Sequence, residues 1–264
     1  MRISAGTVAL RTWTFLVAAF MVIPTLVIVP MAFTESSRLS WPPRGFQMGW
    51  FQMLLTDPEW RAATATSVSV ALWTALTATL LGALLSLTLV RGSFAGQRTL
   101  NVLMMSPMIV PVVIVGVGCY FAYVRLGIAG TTLGLVAAHT ALALPLSVVS
   151  ISTSLRTIDP DLERAAAGLG ARPVTVFRRI TLPQLASGLA ASAIFAFITS
   201  WDDVVVAGFI TSPTVRTLPV VIFNQLRTGL DPTVAAAATL LMLVTTVALL
   251  ALGIGSFLRT RRRT

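Results

Sequence analysis

The chain has 264 residues, of which 56% are hydrophobic and only 11% are charged, and its mean hydropathy is +0.87. A soluble domain carries about a quarter charged residues, so this composition excludes an ordinary globular fold and favours a membrane protein. The net charge of +10 does not indicate nucleic-acid binding, because the 19 basic residues, all arginines, lie in short runs between long apolar stretches.

Six apolar runs are long enough to cross a bilayer as helices, which requires about 20 residues each. They lie at about 13–33, 65–90, 100–124, 131–155, 185–210 and 234–258. We therefore predict an all-α polytopic membrane protein with six transmembrane helices, in which residues 1–264 form a single transmembrane domain.

The placement of the arginines predicts the orientation, because cytoplasmic loops of membrane proteins are enriched in basic residues. If both termini are cytoplasmic, 13 of the 19 arginines lie on the cytoplasmic side, including the run at the C-terminal end. This topology places the connection between the fourth and fifth spans, residues 156–183, in the cytoplasm. It places residues 34–60 and 211–231 outside.

Three Asp-Pro pairs are predicted to start helices, because aspartate is a good N-cap and proline fits the first helical turn. They are Asp57-Pro58, Asp159-Pro160 and Asp231-Pro232. The first and third pairs precede the second and sixth spans. The second pair begins a short helix in the cytoplasmic connection that ends near Gly168, and a further short helix is expected from Pro173 to Pro183.

The short cytoplasmic helix has one apolar face, because its apolar residues recur at spacings of three or four. These are Ile158, Leu162, Ala165, Ala166 and Leu169. Two interpretations are open. The helix lies on the membrane surface, with Arg178 and Arg179 near anionic lipid, or it inserts into a groove of a partner protein, which its small alanine side chains favour.

The same segment resembles the EAA loop of ABC importer permeases, whose pattern is Glu-Ala-Ala, three residues, Gly, nine residues, and Ile-x-Leu-Pro. Ala165-Ala166, Gly170 and Ile180-Thr181-Leu182-Pro183 fall at those spacings, while the motif glutamate falls on Arg164 and Glu163 precedes it. The resemblance implies a type I importer permease fold whose coupling helix sits in an ATPase subunit. The residues it assigns to this contact are Asp159, Glu163, Arg164, Ala165, Ala166, Gly170 and Pro183. Either Glu163 replaces the motif glutamate, or Arg164 meets an acidic residue of the ATPase.

Four further segments resemble spermidine/putrescine-type permeases. They are residues 133–145, 200–203, 217–219 and 230–236. The resemblance implies a bacterial inner-membrane protein that forms half of a pathway for a small cationic or amine-bearing solute, foremost a polyamine. Gamma-aminobutyrate, aminoalkylphosphonates and opine-like solutes are the alternatives. The implied partners are a homologous permease, with a heterodimer favoured, two ATPase subunits and an extracytoplasmic solute-binding protein.

The chain is predicted not to be an enzyme. A P-loop needs a lysine and a characteristic glycine spacing, and the sequence has neither, so ATP and Mg²⁺ are expected on a separate ATPase. With one cysteine and one histidine, no metal site and no cofactor are expected. An ion-coupled secondary transporter is the alternative of another class, but it predicts inverted repeats that we do not find.

Asp202 and Asp203 are the acidic residues within a predicted span, and an ionisable group there is costly unless it faces a wet cavity or a partner. They are candidate substrate-pathway residues, with Trp201 as a cation–π face. The alternative is that one aspartate caps a break in the span and the other pairs with an arginine of the partner permease. Tyr120 and Tyr123 are further pathway candidates, with interface anchoring as the alternative.

Three polar or small residues in the spans are expected to be structural. His139 in the fourth span is predicted to form a hydrogen bond between helices, and Gly82 and Ser86 have the spacing of close helix packing.

Overall fold

The computed structural model describes residues 5–229 and 231–261, and these contain helices and no strand. Arg2, Arg262 and Arg263, which contribute to the predicted orientation, and Leu230 lie outside the described residues. In chain order the helices are α1 (Ala5–Met31), α2 (Gly49–Thr56), α3 (Pro58–Arg91), α4 (Gln97–Ile109), α5 (Val112–Leu126), α6 (Thr132–Arg156), α7 (Pro160–Gly168), α8 (Pro173–Val176), α9 (Leu182–Trp201), α10 (Val205–Ile210), α11 (Leu218–Thr228) and α12 (Pro232–Arg261). A π turn (Phe177–Thr181) joins α8 to α9.

Among the described residues, five helical stretches are long and apolar enough to cross a membrane. They are Gly6–Met31, Pro58–Arg91, Thr132–Arg156, Pro173–Trp201 and Pro232–Ile254. They overlap the predicted first, second, fourth, fifth and sixth spans. The pair α4 and α5 passes the same test together, which brings the number to six if the pair is one span. The all-helical, polytopic fold is therefore confirmed.

The third span differs from the continuous helix that the sequence predicts, because α4 and α5 are bent by 108° at the break between them. Pro111 lies at this break. Proline disfavours helical backbone in the residue before it, and Val110 is extended, with φ −73° and ψ 133°. Pro107, by contrast, lies inside α4.

The fifth span differs from its prediction at both ends. At the start, Pro183 does not end a helix, since one helical stretch runs from Pro173 to Trp201. The π turn just before Pro183 accommodates the proline, whose ring and missing N–H would disrupt a regular α-helix. At the far end the helix stops at Trp201 rather than continuing to Ile210, and the short α10 follows after a break.

The three predicted aspartate caps are confirmed. Asp57 accepts hydrogen bonds from the backbone N–H groups of Glu59 and Trp60 at 2.9 and 3.1 Å. Asp159 accepts one from Asp161 at 2.9 Å, and Asp231 accepts one from Thr233 at 2.7 Å. Each cap satisfies N–H groups at the start of α3, α7 or α12 that have no partner within the helix.

The chain divides into two compact units, which we describe separately. The first consists of the residues up to Arg61 together with Ile222–Leu243. Within it, the buried Thr34 organises the loop after α1, because its hydroxyl accepts from the N–H of Arg44 at 3.3 Å. The indole of Trp50 donates to the Thr34 carbonyl at 2.7 Å. Residues 34–60 are therefore a folded segment that contains α2.

The second unit, Ala62–Val221 with the chain from Val244 onward, has its core where α3, α6 and α9 meet. Small side chains allow close approach: a Cβ on Gly82 would lie 2.8 Å from Cβ of Ser147, and one on Gly188 would lie 2.5 Å from Cβ of Ser154. Ser86 donates to the Val148 carbonyl at 3.1 Å. The predicted packing role of Gly82 and Ser86 is thus confirmed.

Candidate functional site

The short helix α7 spans Pro160–Gly168, as the sequence predicts. Asp159 caps it, and Asp161 and Glu163 lie in its first turn, where the helix dipole favours negative charge. The backbone after Gly168 turns through Gly170, whose φ of +84° lies in the left-handed region that glycine alone adopts without strain. A Cβ at Gly170 would meet no atom within 4 Å, so this glycine is required by its backbone conformation and not by crowding within the chain.

The apolar face predicted for α7 is only partly covered by the chain itself. Ile158, just before the helix, is 2% exposed and packs with Ile151, Leu155 and Leu185. Leu162 is exposed by half, and Leu169 is 90% exposed. An exposed run of leucine and alanine side chains on a short helix is typical of a surface that a partner covers.

The structure separates the roles of the neighbouring Glu163 and Arg164. The Glu163 carboxylate turns towards its own chain, accepting a hydrogen bond from the Thr181 hydroxyl at 2.8 Å and lying 3.5 Å from Nε of Arg91. Arg164 points outward and pairs with Asp161 at 2.8 Å, with both side chains about three-quarters exposed. The sequence left open whether Glu163 replaces the motif glutamate or Arg164 contacts an acidic residue of the ATPase. This arrangement favours the second alternative.

The break between α9 and α10 gathers three of the predicted pathway residues. Asp203 caps α10, because its carboxylate accepts from the N–H groups of Val206 and Ala207 at 3.4 and 2.7 Å. The same carboxylate lies 3.4 Å from Nε2 of His139. Asp203 therefore has the capping role that the sequence left open for one of the two aspartates.

His139 joins α6 to the end of α9. Its Nδ1 lies 2.7 Å from the hydroxyl of Ser200, and both side chains are buried. The imidazole is thus held between Ser200 and Asp203, which fixes the break against the core. The predicted helix-to-helix hydrogen bond is confirmed.

Asp202 differs from Asp203 because it is exposed on the surface of the chain. Its carboxylate accepts a hydrogen bond from the hydroxyl of Thr245 at 3.2 Å, and no arginine whose side chain the structure describes lies within ion-pair distance. The carboxylate is therefore open to a cation outside this chain, either a solute or an arginine of a partner.

The three aromatic candidates for the substrate pathway differ in exposure and in position. Trp201 is 1% exposed and stacks on Phe197 with ring centroids 5.8 Å apart, so its predicted cation–π face is not open in this conformation. Tyr120 is exposed on α5 beside Phe121, and Tyr123 packs on the apolar cluster that contains Leu135. The same cluster contains Val206 and Ala207 of α10, so Tyr123 packs beside the helix that follows the break.

Three residues of these sites were not identified from the sequence: Arg91, Thr181 and Thr245. Arg91 ends α3, and Thr245 lies in α12, so both are far along the chain from the groups they contact. Thr181 occupies the variable position of the Ile-x-Leu-Pro motif, so the motif does not indicate that this residue takes part in the site. The described residues contain no group of three or more His, Cys, Asp or Glu side chains that would suit a metal ion.

Comparison with known proteins gives consistent matches over most of the chain. The family model described as "Binding-protein-dependent transport system inner membrane component" matches residues 78–258. The permease PotC of the spermidine/putrescine transport system of Escherichia coli is 30% identical over 88% of both chains. PotI of the putrescine transport system of the same organism is 33% identical over 84% of this chain and 82% of its own.

Two other matches extend beyond polyamine systems. The molybdenum transport permease ModB of Mycobacterium bovis is 34% identical over 94% of both chains. The fold matches that of a bacterial ABC transporter involved in the import of the acidic polysaccharide alginate, with a TM-score of 0.73, 12% identity, and coverage of 97% of this chain and 99% of that one.

Proposed function

Because this chain belongs to the family of binding-protein-dependent transport system inner membrane components, and is therefore a non-catalytic permease subunit of an ABC importer, we propose that it forms half of the translocation pathway for a small amine-bearing solute, foremost a polyamine. The observation that carries this proposal is Asp202. It is an exposed carboxylate at a break in an apolar helix, with one hydroxyl as its partner among the described residues.

A carboxylate in this position suits a cationic solute for a physical reason. An ionised group in an apolar environment is costly to keep unless a wet pathway or an opposite charge compensates it. A protonated amine provides both the charge and the hydrogen-bond donors that the free oxygen of Asp202 lacks. The similarity to PotC and PotI, which are named for spermidine and putrescine, supports the same class of cargo.

The similarity to ModB favours a second candidate, a molybdenum compound. Molybdenum taken up as an oxyanion would be repelled by Asp202, so the carboxylate that supports an amine argues against this cargo. The two candidates therefore make opposite predictions for the same side chain.

The proposal also includes partners and orientation. A second homologous permease completes the pathway, an extracytoplasmic solute-binding protein delivers the cargo, and two ATPase subunits supply the energy. The exposed Leu162 and Leu169 on α7 support docking of this helix on an ATPase subunit. Both termini then lie in the cytoplasm, on the same side as α7.

Uptake in proteoliposomes by the assembled complex tests the cargo. We expect labelled putrescine or spermidine to be taken up, Asp202→Asn to reduce this uptake about tenfold as expected for loss of a close charge pair, and Asp202→Glu to retain most of it. Thr245→Val is the matched control, since it removes the hydroxyl and keeps the carboxylate. Uptake of molybdate but of no amine, or full amine uptake by Asp202→Asn, would contradict the proposal.

A further inference from the structure

Among the described residues, the side chain of Glu163 forms the polar contacts between α7 and other helices of the second unit. Glu163 accepts from the Thr181 hydroxyl at 2.8 Å with one carboxylate oxygen, and its other oxygen lies 3.5 Å from Nε of Arg91. Thr181 ends the π turn below α9, and Arg91 ends α3. The carboxylate of Glu163 therefore connects α7 to the bases of two long helices at once.

Arg91 strengthens this connection because it also holds the residue before α7. Its Nη2 donates to the carbonyl of Ile158 at 3.1 Å, while its Nε is shielded from solvent and faces Glu163. A cation in the last turn of α3 is favourable to the helix dipole as well. The guanidinium thus links the end of α3 both to the start of α7 and to its middle.

The other contact of Glu163 falls on the π turn that precedes α9. A π turn is an irregular, widened turn, and such turns are frequent where a helix bends or changes shape. The hydroxyl of Thr181 is buried, and Glu163 is its partner at the end of this turn. This hydrogen bond therefore holds α7 to the irregular turn within the stretch Pro173–Trp201.

The space between α7, the π turn and the end of α3 is not filled by side chains, so the polar contacts of Glu163 are not duplicated by packing there. A cavity of about 310 Å³ lies between α7, the π turn and the end of α3, and Glu163 and Arg91 are on its wall. The other ion pair of α7, Asp161 with Arg164, stays within the helix. Among the described residues, Glu163 is thus the residue of α7 whose side chain forms polar bonds to other helices.

We propose that Glu163 is a positioning residue that fastens α7 to α3 and α9, so that displacement of α7 by the ATPase moves both spans together. This inference rests on the proposed docking of α7 on an ATPase subunit. Without the Glu163 contacts, the displacement is absorbed at the Gly170 turn after α7 and at the π turn. ATP hydrolysis then continues while transport falls.

The test measures ATP hydrolysis and solute uptake in the same proteoliposomes of the complete complex, with a solute that stimulates the wild-type complex. For Glu163→Gln we expect the solute carried per ATP to fall about tenfold, within the usual range for coupling between sites, while the ATPase subunits still co-purify. The double variant Arg91→Glu with Glu163→Arg restores the ion pair but neither the Thr181 nor the Ile158 hydrogen bond, so its ratio should recover relative to that of Glu163→Arg alone. Asp57→Asn is the matched control, because it makes the same acid-to-amide change outside α7 and keeps a side chain that can cap α3.

Three results would overturn the inference. They are a wild-type ratio for Glu163→Gln, no recovery in the charge-exchanged variant, and loss of the ATPase subunits from the Glu163→Gln complex, which would place this carboxylate in the intersubunit contact. Failure of the cargo proposal is distinguishable, because it appears in the wild-type complex as the absence of amine uptake.

Discussion

Replacing Gly170 by alanine is predicted to impair the coupling loop through backbone strain alone. The φ of Gly170 is +84°, and an added Cβ would meet no atom within 4 Å. The cost is therefore the left-handed penalty of an L-residue, about 1–2 kcal/mol, with no steric contribution from the chain. Since about 1.4 kcal/mol corresponds to a tenfold change in an equilibrium, we expect the equilibrium between the correctly shaped loop and other shapes to shift about tenfold against the correct shape.

The assay is ATP-driven uptake at equal amounts of membrane-inserted protein, with co-purification of the ATPase subunits as a second measurement. Gly170→Asn should retain more activity than Gly170→Ala, because asparagine tolerates the left-handed region, and Gly170→Val should retain least. Gly168→Ala is the matched control, since Gly168 is helical, has open space around it, and alanine favours a helix. Equal activity for Gly168→Ala and Gly170→Ala, or a valine variant as active as the asparagine variant, would refute this reasoning.

Two further predictions concern the stability of the complex in detergent, measured by thermal inactivation. Gly188→Ala places a Cβ 2.5 Å from that of Ser154 and should destabilise the protein by about 1–3 kcal/mol. Gly118→Ala is the control and should be neutral, because its added Cβ would meet no atom within 4 Å. Equal effects of the two variants would contradict the close packing at Gly188. Asp57→Ala removes the cap of α3 and should lower the stability by about 1 kcal/mol. Asp57→Asn should lose little stability, because asparagine also caps helices. An equal loss of stability in both variants would show that capping is not the cause.

The features that the sequence predicted well are those set by neighbouring residues. The start of α7 at Pro160 and its end near Gly168 were predicted because the Asp159 cap and the helix stop are local signals. The apolar runs predicted the long helices for the same reason, since the cost of exposing backbone to lipid depends on each segment alone.

The features that depend on distant residues were not predictable from one sequence. The partner of Glu163 is Arg91, 72 residues earlier, and nothing near either residue indicates that pairing. Prolines were also ambiguous, because their effect depends on how the surrounding backbone responds. Pro111 lies at a 108° break, whereas the π turn lets Pro183 continue a helix.

Crosslinking from Leu169 tests most directly whether α7 docks on the energy-supplying subunit, because this side chain is 90% exposed. The experiment uses the complete complex, with Cys119→Ser to remove the native cysteine and Leu169→Cys to carry a photoreactive label. We expect a product that joins this chain to an ATPase subunit. Label recovered on lipid, with none on an ATPase subunit, would contradict the account.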